Sequence, residues 1–477
     1  MLTVQHFNSK VKESTIHVQR SFFGIRFIVL LTLLFHSVLN IYASDPVKER
    51  PNVILILADD MAMGDISNFN GGINKTPNLD KLIQESVWFN QAYSGSAVCA
   101  PARACLLTGK YPHRTGVVSL NMERFPEHTS LHLNQVTIAD VFKKNGYKTA
   151  LIGKWHLGKD APYHPMKRGF EEFRGFMGFD VETYFDFKLD INGKYKSYKG
   201  EYLTDVISDH AVNYIRQNKE QSFFLHLAHY APHRPLGAPE EIVEFYTKKG
   251  FDEKTSKVYA MIEVMDKGIG KLITTLEDLG LRENTIIIFA SDNGPDPLVG
   301  TRFNFDLKGT KYMVNEGGIR VPLLFNWAGH FKETEVDHIA HFADIFPTLL
   351  NLCQLEFKAT QTLDGRSLNH LLEGSNEGDS PTQYFWQWNR GVPYYSHNAA
   401  MRKGEWKLVR PYITRSIPNG DVVNEPMLYN IQKDPGESIN YAAEEPTIYS
   451  EMKVKLEQWC REVEFDRLRS KYQQANP

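Results

Sequence analysis

Four short apolar runs, each broken off at once by polar residues, constrain this chain more than any other feature. Residues 53–57 lead into Asp59 and Asp60, and residues 149–152 into Gly153-Lys154-Trp155-His156. Phe223–Ala228 leads into His229 and, after Ala231-Pro232, into His233; residues 286–290 lead into Asp292 and Asn293. Short continuous apolar runs bounded in this way read as strands buried on both faces, as in parallel sheets. The segments between them, such as 136–145 and 258–279, carry apolar residues at helical spacing and read as crossover helices. The expected fold class is therefore α/β, a large doubly wound mixed sheet flanked by helices. In open α/β sheets ligands bind outside the carboxyl ends of the strands, so four polar clusters distant in sequence are expected in one crevice.

Beyond a helix-like stretch at 343–353 the pattern changes. Residues 399–409 and 427–431 alternate at strand period, and 447–468 returns to helical spacing. This predicts a smaller C-terminal antiparallel sheet plus helix. The expected organisation is residues 1–44 as an export signal, 45–372 as a catalytic domain and 373–477 as a smaller α+β domain, with the boundary in the Gly, Asn, Glu and Ser rich stretch 368–382.

With 477 residues, 42% of them hydrophobic and 23% charged, the chain is neither disordered nor fibrous. Lys plus Arg total 54 against 57 for Asp plus Glu, so the net charge of -3 supplies no global field for nucleic acid, and none is expected as a partner. Lys10, Lys12, Arg20 and Arg26 precede an apolar run at 27–35, which is shorter than the roughly 20 residues that span a bilayer. Ala43-Ser44 follows, so the start reads as a signal cleaved near Ser44, with an uncleaved anchor as the alternative because Tyr42 is large for its place. The expected location is periplasmic, extracellular or lumenal, with no stable membrane insertion after cleavage. Cys99, Cys105, Cys353 and Cys460 are too few and scattered for a disulfide framework, no Cys and His spacing suggests zinc, and no internal repeat is present.

Asp59, Asp60, Asp292 and Asn293 offer hard oxygen ligands from two strand ends, which suits Ca2+ or Mg2+. Adjacent carboxylates after one strand are commonly caps or turn residues; the second oxygen pair makes a cation site the better reading. Cys99 opens a helix-like segment, Cys99-Ala100-Pro101-Ala102-Arg103-Ala104-Cys105-Leu106-Leu107-Thr108-Gly109-Lys110, where a nucleophile would meet the positive end of a helix dipole. Cys99 and Cys105 taken without the rest would read as small buried hydrophobes.

Cys99-x-Pro101-x-Arg103 followed by Leu107-Thr108-Gly109 resembles the signature of the sulfatase family in the alkaline phosphatase superfamily. It is joined in order by Asp59-Asp60, Gly153-Lys154-Trp155-His156-Leu157-Gly158, Ala231-Pro232-His233, Ser291-Asp292-Asn293-Gly294 and Glu316-Gly317-Gly318-Ile319-Arg320-Val321-Pro322. The C-terminal Trp406-Lys407-Leu408, Leu428-Tyr429-Asn430 and Asp434-Pro435-Gly436-Glu437 look like the family's small domain, so the resemblance spans residues 51–443. It departs at Ala102, where Ser is frequent, and at Lys110, where Arg is frequent; neither removes a reactive group.

The resemblance implies an alkaline phosphatase-like fold and a sulfuric ester hydrolase. It implies that Cys99 is oxidised to formylglycine (3-oxoalanine) by a formylglycine-generating or sulfatase-maturating enzyme, and that the hydrated aldehyde is the nucleophile. By similarity Asp59, Asp60, residue 99, Asp292 and Asn293 hold one Ca2+, while Arg103 and Lys154 favour the deprotonated hydrate. Lys154 and Lys311 would bind the sulfuryl oxygens, His233 would protonate the leaving alcohol, and His156 would take the proton that lets the aldehyde reform. Lys311, five residues before Glu316, matches the family spacing better than Lys308; His229 reads as structure. Tyr384-Phe385-Trp386-Gln387-Trp388-Asn389-Arg390, with Tyr394 and Tyr395, is either a sugar-stacking patch or small-domain core. Export, signature and patch together predict a sulfated carbohydrate substrate, a polysaccharide or its oligosaccharides. The alternatives are a phosphodiester or phosphonate monoester hydrolase of the same superfamily, and an inactive glycan-binding protein.

Overall fold

Alternation along a single strand shows how the two sides of the sheet are filled. In β1 (Asn52–Ala58), Val53, Leu55 and Leu57 face one core cluster and Ile54, Ile56 and Ala58 face the other, so the strand is buried on both sides. The first cluster packs against helices Cys99–Thr108, Ile138–Lys144 and Phe342–Leu352, the second against Leu203–Gln217 and Glu253–Asp278. A computed structural model describes residues 50–179, 181–299, 302–358, 362–375, 383–412 and 425–475. The export signal expected at 1–44 lies outside the described residues, as does 376–382 of the expected boundary stretch. The described residues from Pro51 onward form one compact unit.

The remaining strands are β2 (Val87–Tyr93), β3 (Lys148–Lys154), β4 (Glu172–Phe176), β5 (Asp186–Ile191), β6 (Lys194–Lys199), β7 (Phe223–Ala228), β8 (Thr285–Ser291), β9 (Leu323–Trp327) and β10 (Thr334–His341). They form one ten-stranded sheet in the order β10-β2-β9-β8-β1-β7-β3-β4-β5-β6. Strands β8, β1, β7, β3 and β4 are mutually parallel; β9 runs antiparallel to both neighbours, and β5 antiparallel to β4 and β6, which makes the sheet mixed. Leu57 stands opposite Ala228 on one side and Ala290 on the other, and Gly153 stands opposite Ala228. The carboxyl ends of the four apolar strands are therefore level. Gly153, at φ +111°, lets β3 pass its neighbour, since a Cβ there would lie 1.8 Å from the Ala228 carbonyl oxygen.

The second sheet, β11 (Gln383–Gln387), β12 (Ala399–Lys403), β13 (Trp406–Arg410) and β14 (Met427–Asn430), is antiparallel. Tyr384 and Trp386 pack toward Tyr93, Val314 and Ile319, whereas Phe385, Met401, Leu408 and Leu428 pack against Met452, Leu456 and Trp459 of helix Pro446–Ala475. Residues 384–387 are thus small-sheet core, while Trp388 packs with Val98, Leu120 and Tyr312; with Trp386 and Trp388 each 1% exposed, the sugar-stacking reading is corrected for 384–389. Alternate residues of β11 had to be buried on both faces because a helix covers one and the large sheet's loops the other.

A buried ionic network joins the two sheets. The Lys407 ammonium lies 2.8 Å from Glu316 and 3.1 Å from Glu437, with all three side chains at 0% exposure. The Tyr93 hydroxyl donates to Glu316 (2.8 Å) and accepts from Arg402 (2.9 Å). All four cysteines are free and buried, so packing and this network hold the fold.

Candidate active site

The level strand ends bring the residues expected from the sequence to one point. Asp59 and Asp60 follow β1, Asp292 and Asn293 follow β8, His233 follows β7, and Lys154 and His156 lie at the end of β3. Cys99 is the first residue of helix Cys99–Thr108, whose carboxyl end is closed by Gly109 in the left-handed conformation (φ 66°). One turn on, Arg103 points back into the same cluster, and Lys311 reaches it from the loop before Glu316. Asp59, Asp60, Cys99, Arg103, Lys154, His156, His233, Asp292, Asn293 and Lys311 are all at most 4% exposed.

Charges pair closely within this dry space. Lys154 Nζ lies 2.6 Å from Asp59 Oδ2, and Lys311 Nζ 2.6 Å from Asp60 Oδ1. Arg103 donates through Nε and Nη2 to Asp292 Oδ2 (3.0 and 2.7 Å) and through Nη1 to the Lys154 carbonyl (3.2 Å); its Nη2 also stands 3.3 Å from Asp59. Burial disfavours charge on Asp59 and Asp60 and is the largest single influence, but the positive groups around them, led by Lys154 at the first and Lys311 at the second, together outweigh it and hold both carboxyls below the usual range. Asp292 is pushed up to about 7 by burial and by the Asp59 charge, against the pull of Arg103. Burial raises the Cys99 thiol despite Lys154 and Lys311, so the unmodified side chain is a thiol rather than a thiolate.

The histidines differ in which nitrogen is free. His156 Nε2 faces the Leu120 carbonyl at 2.8 Å and therefore carries the proton, leaving Nδ1 buried without a partner among the described residues. His233 Nδ1 faces the Arg234 carbonyl at 2.5 Å, leaving Nε2 toward Asp60 at 3.6 Å. Both are neutral: burial lowers His156 well below its ordinary value and His233 to about 3. Asp60 (φ 67°) and His156 (φ 65°) occupy the left-handed region, which non-glycine residues enter at a cost that the surrounding structure must hold in place. His156 N–H is held by the Met177 carbonyl (2.8 Å) and Asp60 N–H by Asp292 (3.2 Å).

The donor set fits a hard divalent cation. Asp59 Oδ1 and Asn293 Oδ1 are buried with no hydrogen-bond partner among the described residues. Ligand atoms of Asp59, Cys99 and Asp292 lie within 4.8 Å of one another, as do those of Asp59, Asp60 and His233. Buried oxygens left over in a cluster of carboxylates are what Ca2+ or Mg2+ would satisfy.

Two neighbouring readings separate cleanly. Lys308 turns away, donating to the Glu437 carbonyl (3.0 Å) and to Tyr429 (3.4 Å), so Lys311 is the lysine brought to the cluster. His229 is fully buried outside it, with neither ring nitrogen hydrogen-bonded among the described residues. Sequence reasoning missed Tyr230, whose ring lies 4.7 Å from that of His233, and the buried Asp65–Arg302 pair (2.7 Å), from which Arg302 reaches the Asp60 carbonyl at 3.5 Å. Tyr230 stands two residues past the end of β7, beside His229, and could have been read from that position.

Residues 51–355 match the family model described as Sulfatase, and residues 305–463 the model described as N-sulphoglucosamine sulphohydrolase, C-terminal. The chain is 30% identical over 366 residues to the N-acetylgalactosamine-6-sulfatase of Rattus norvegicus, covering 71% of this chain and 68% of that one. It is 27% identical to the N-acetylgalactosamine-6-O-sulfatase of Bacteroides thetaiotaomicron, covering 86% and 93%. Among solved structures, Ps i-CgsB superposes with a TM-score of 0.76 at 30% identity over 88% of this chain and 94% of that one, and was also solved in complex with k-i-k-neocarrahexaose. A match across most of the large sheet, with carboxylates, cations and cysteine gathered at its strand ends, makes this chain a member of the sulfatase family and its activity the hydrolysis of a sulfuric ester.

Proposed function

We propose that the protein removes sulfate from a sulfated carbohydrate, a polysaccharide or its oligosaccharides, using a formylglycine made from Cys99 and one Ca2+ held by Asp59, Asp60, Asp292, Asn293 and residue 99. The observation that carries this reading is the charge balance of the cluster. Three carboxyl groups (Asp59, Asp60 and the only partly ionised Asp292) face three cations (Arg103, Lys154, Lys311) with almost no solvent. Adding a divalent cation leaves an excess of positive charge, which in a low-dielectric space selects an anion such as a sulfate ester. When bound, the cation and the hydrated aldehyde supply a nucleophile at neutral pH, which the buried Cys99 thiol does not.

The remaining chemistry falls to the chain's own residues. Lys154 and Lys311 neutralise the sulfuryl oxygens, and Arg103 fixes Asp292 and the Lys154 backbone. His156, protonated at Nε2 by its bond to Leu120, presents a bare Nδ1 lone pair and accepts a proton. His233 keeps Nδ1–H on the Arg234 carbonyl, so Nε2 can donate only from the charged ring. A sulfate anion entering the pocket favours that charged ring and so arms it to protonate the leaving alcohol. Substrate names support the carbohydrate: the relatives above are named for N-acetylgalactosamine 6-sulfate, and the similar solved protein holds a hexaose. Residues 1–44 direct export in this reading; among the described residues no helix is long and apolar enough to cross a membrane.

The test is to express residues 45–477 with a formylglycine-generating enzyme, verify conversion at Cys99, and measure sulfate and phosphate release from sulfated glycans, aryl sulfates and phosphodiesters. Sulfate release from a sulfated glycan, abolished in Cys99→Ala, is expected. Release from aryl sulfate alone would overturn the carbohydrate assignment, and release of phosphate alone would replace it with the phosphohydrolase reading.

A further inference from the structure

A fifth strand end opens on the crevice. β4 runs parallel to β3 with Phe176 opposite Lys154, and the Phe176 and Met177 carbonyls accept from the N–H groups of Trp155 and His156 (3.0 and 2.8 Å). Two residues beyond Met177, Phe179 leaves the sheet and lays its ring across the site. The ring stacks on His233 (centroids 5.5 Å, planes 29° apart), meets His156 edge-on (4.5 Å, 75°) and lies 4.9 Å from Lys154 Nζ. The three groups it touches are at most 4% exposed, yet Phe179 itself is 40% exposed. Among the described residues it is the one exposed aromatic side chain recorded in ring contact with either histidine.

An apolar ring left open to water at the mouth of a charged pocket is a surface for a ligand to cover. The sulfate itself has no reason to rest there, because a ring face is negative and repels an anion; it belongs with Lys154 and Lys311. What suits the ring is the part of the substrate that carries the ester. A pyranose has an apolar C–H face, whose hydrogens are drawn to the negative face of an aromatic ring. We propose that Phe179 is the substrate-contacting residue on which the sugar bearing the scissile sulfate is seated, so that the ester bond passes over its edge to His233 and the lysines. This rests on the sulfated-carbohydrate reading and extends it to a named residue. It also transfers the sugar-stacking role from the buried residues 384–389 to a ring at the mouth itself.

The test uses the converted wild-type chain with Phe179→Ala and Phe179→Trp, on the sulfated oligosaccharide that gives the fastest sulfate release. Losing one covered apolar ring should raise KM about tenfold or more while leaving kcat within about twofold, the pattern of lost uniform binding. Phe179→Trp should restore KM, and inhibition by inorganic sulfate, which engages the cations alone, should be the same in all three proteins. An unchanged KM in Phe179→Ala overturns the proposal, and so does a higher kcat/KM, which would make the ring a plug. A joint loss of kcat and sulfate inhibition also overturns it, because the ring would then only support His156, His233 and Lys154. A wild-type enzyme that desulfates no sugar refutes the carbohydrate reading instead, and is told apart by needing no variant.

Discussion

Replacing Lys407 by Met removes one cation from the ionic network between the two sheets while keeping the length and apolar volume of the stem. Glu316 and Glu437 then face each other across a space at 0% exposure with their shared partner gone. Removing one partner of a buried pair costs about 3–5 kcal/mol, because the other charge stays desolvated. Across roughly 430 residues from Pro51 onward, an unfolding entropy of about 2.1 cal/mol/K per residue gives about 0.9 kcal/mol/K, so the loss corresponds to a fall in Tm of about 3–5 °C. The penalty has a sign with pH. In the native protein burial alone would raise Glu316, and Lys407, Arg402 and Arg320 bring it below its usual value. Without Lys407 the folded-state pKa values of both glutamates rise, and protonation relieves the strain. The penalty is therefore absent below the unfolded carboxyl pKa and complete above the raised folded one. Calorimetry of wild type and Lys407→Met at pH 8 and pH 5 reads both quantities. A Tm difference below about 1 °C at pH 8, or one that fails to shrink at pH 5, would refute the account of the network as a buried pair.

Three further outcomes follow from the site and core. Cys99→Ser should abolish sulfate release while leaving Tm within a degree or so of wild type, since the change is nearly isosteric; intact mass separates converted from unconverted chains. Chelation should remove activity and lower Tm by about 3 °C where free Ca2+ had been 100-fold above its dissociation constant, equivalent to about 2.7 kcal/mol, and Ca2+ should restore both. His113, buried and bonded to Gln387 (2.9 Å), has its pKa lowered to about 4 by burial. Its folded pKa lies below the unfolded value, so its contribution is present above about pH 6.5 and is lost as pH falls; His113→Phe should reduce the stability loss between pH 7 and 5 by about 2 kcal/mol in urea titrations.

The parts of this fold that were readable before the structure share a physical cause. β1, β3, β7 and β8 are buried on both faces and so are written as continuous apolar runs, and their level ends follow from parallel pairing. β6, Lys-Tyr-Lys-Ser-Tyr-Lys, is an edge strand with most side chains in water and carries no such run. The helix expected at 258–279 begins earlier, at Glu253, because Asp252 accepts from the N–H groups of Lys254 and Thr255 and starts it. The aromatic segment at 384–388 is ambiguous in sequence because burial on two faces and a sugar platform call for the same residues. Phe179 was missed for the converse reason: a lone exposed Phe after a strand is ordinary until His156, His233 and Lys154 are seen beneath it. The Lys407–Glu316–Glu437 network is invisible in one dimension, its members being 91 and 30 positions apart.

Cys99 lies in the first turn of a helix with no accessible surface, ringed by Asp59, Asp292, Lys154 and Lys311. An enzyme that converts its thiol to an aldehyde must hold the segment from 99 to 103 in its own cleft, which the folded protein does not permit. In the formylglycine reading proposed above, conversion therefore belongs to a window in the life of the chain, between synthesis and closure of the sheet. On that reading a molecule would leave the window either armed or idle, because the folded chain keeps Cys99 out of reach. A purified sample is then a fixed mixture whose specific activity records how folding raced against modification, and rates measured on it carry meaning only per converted chain.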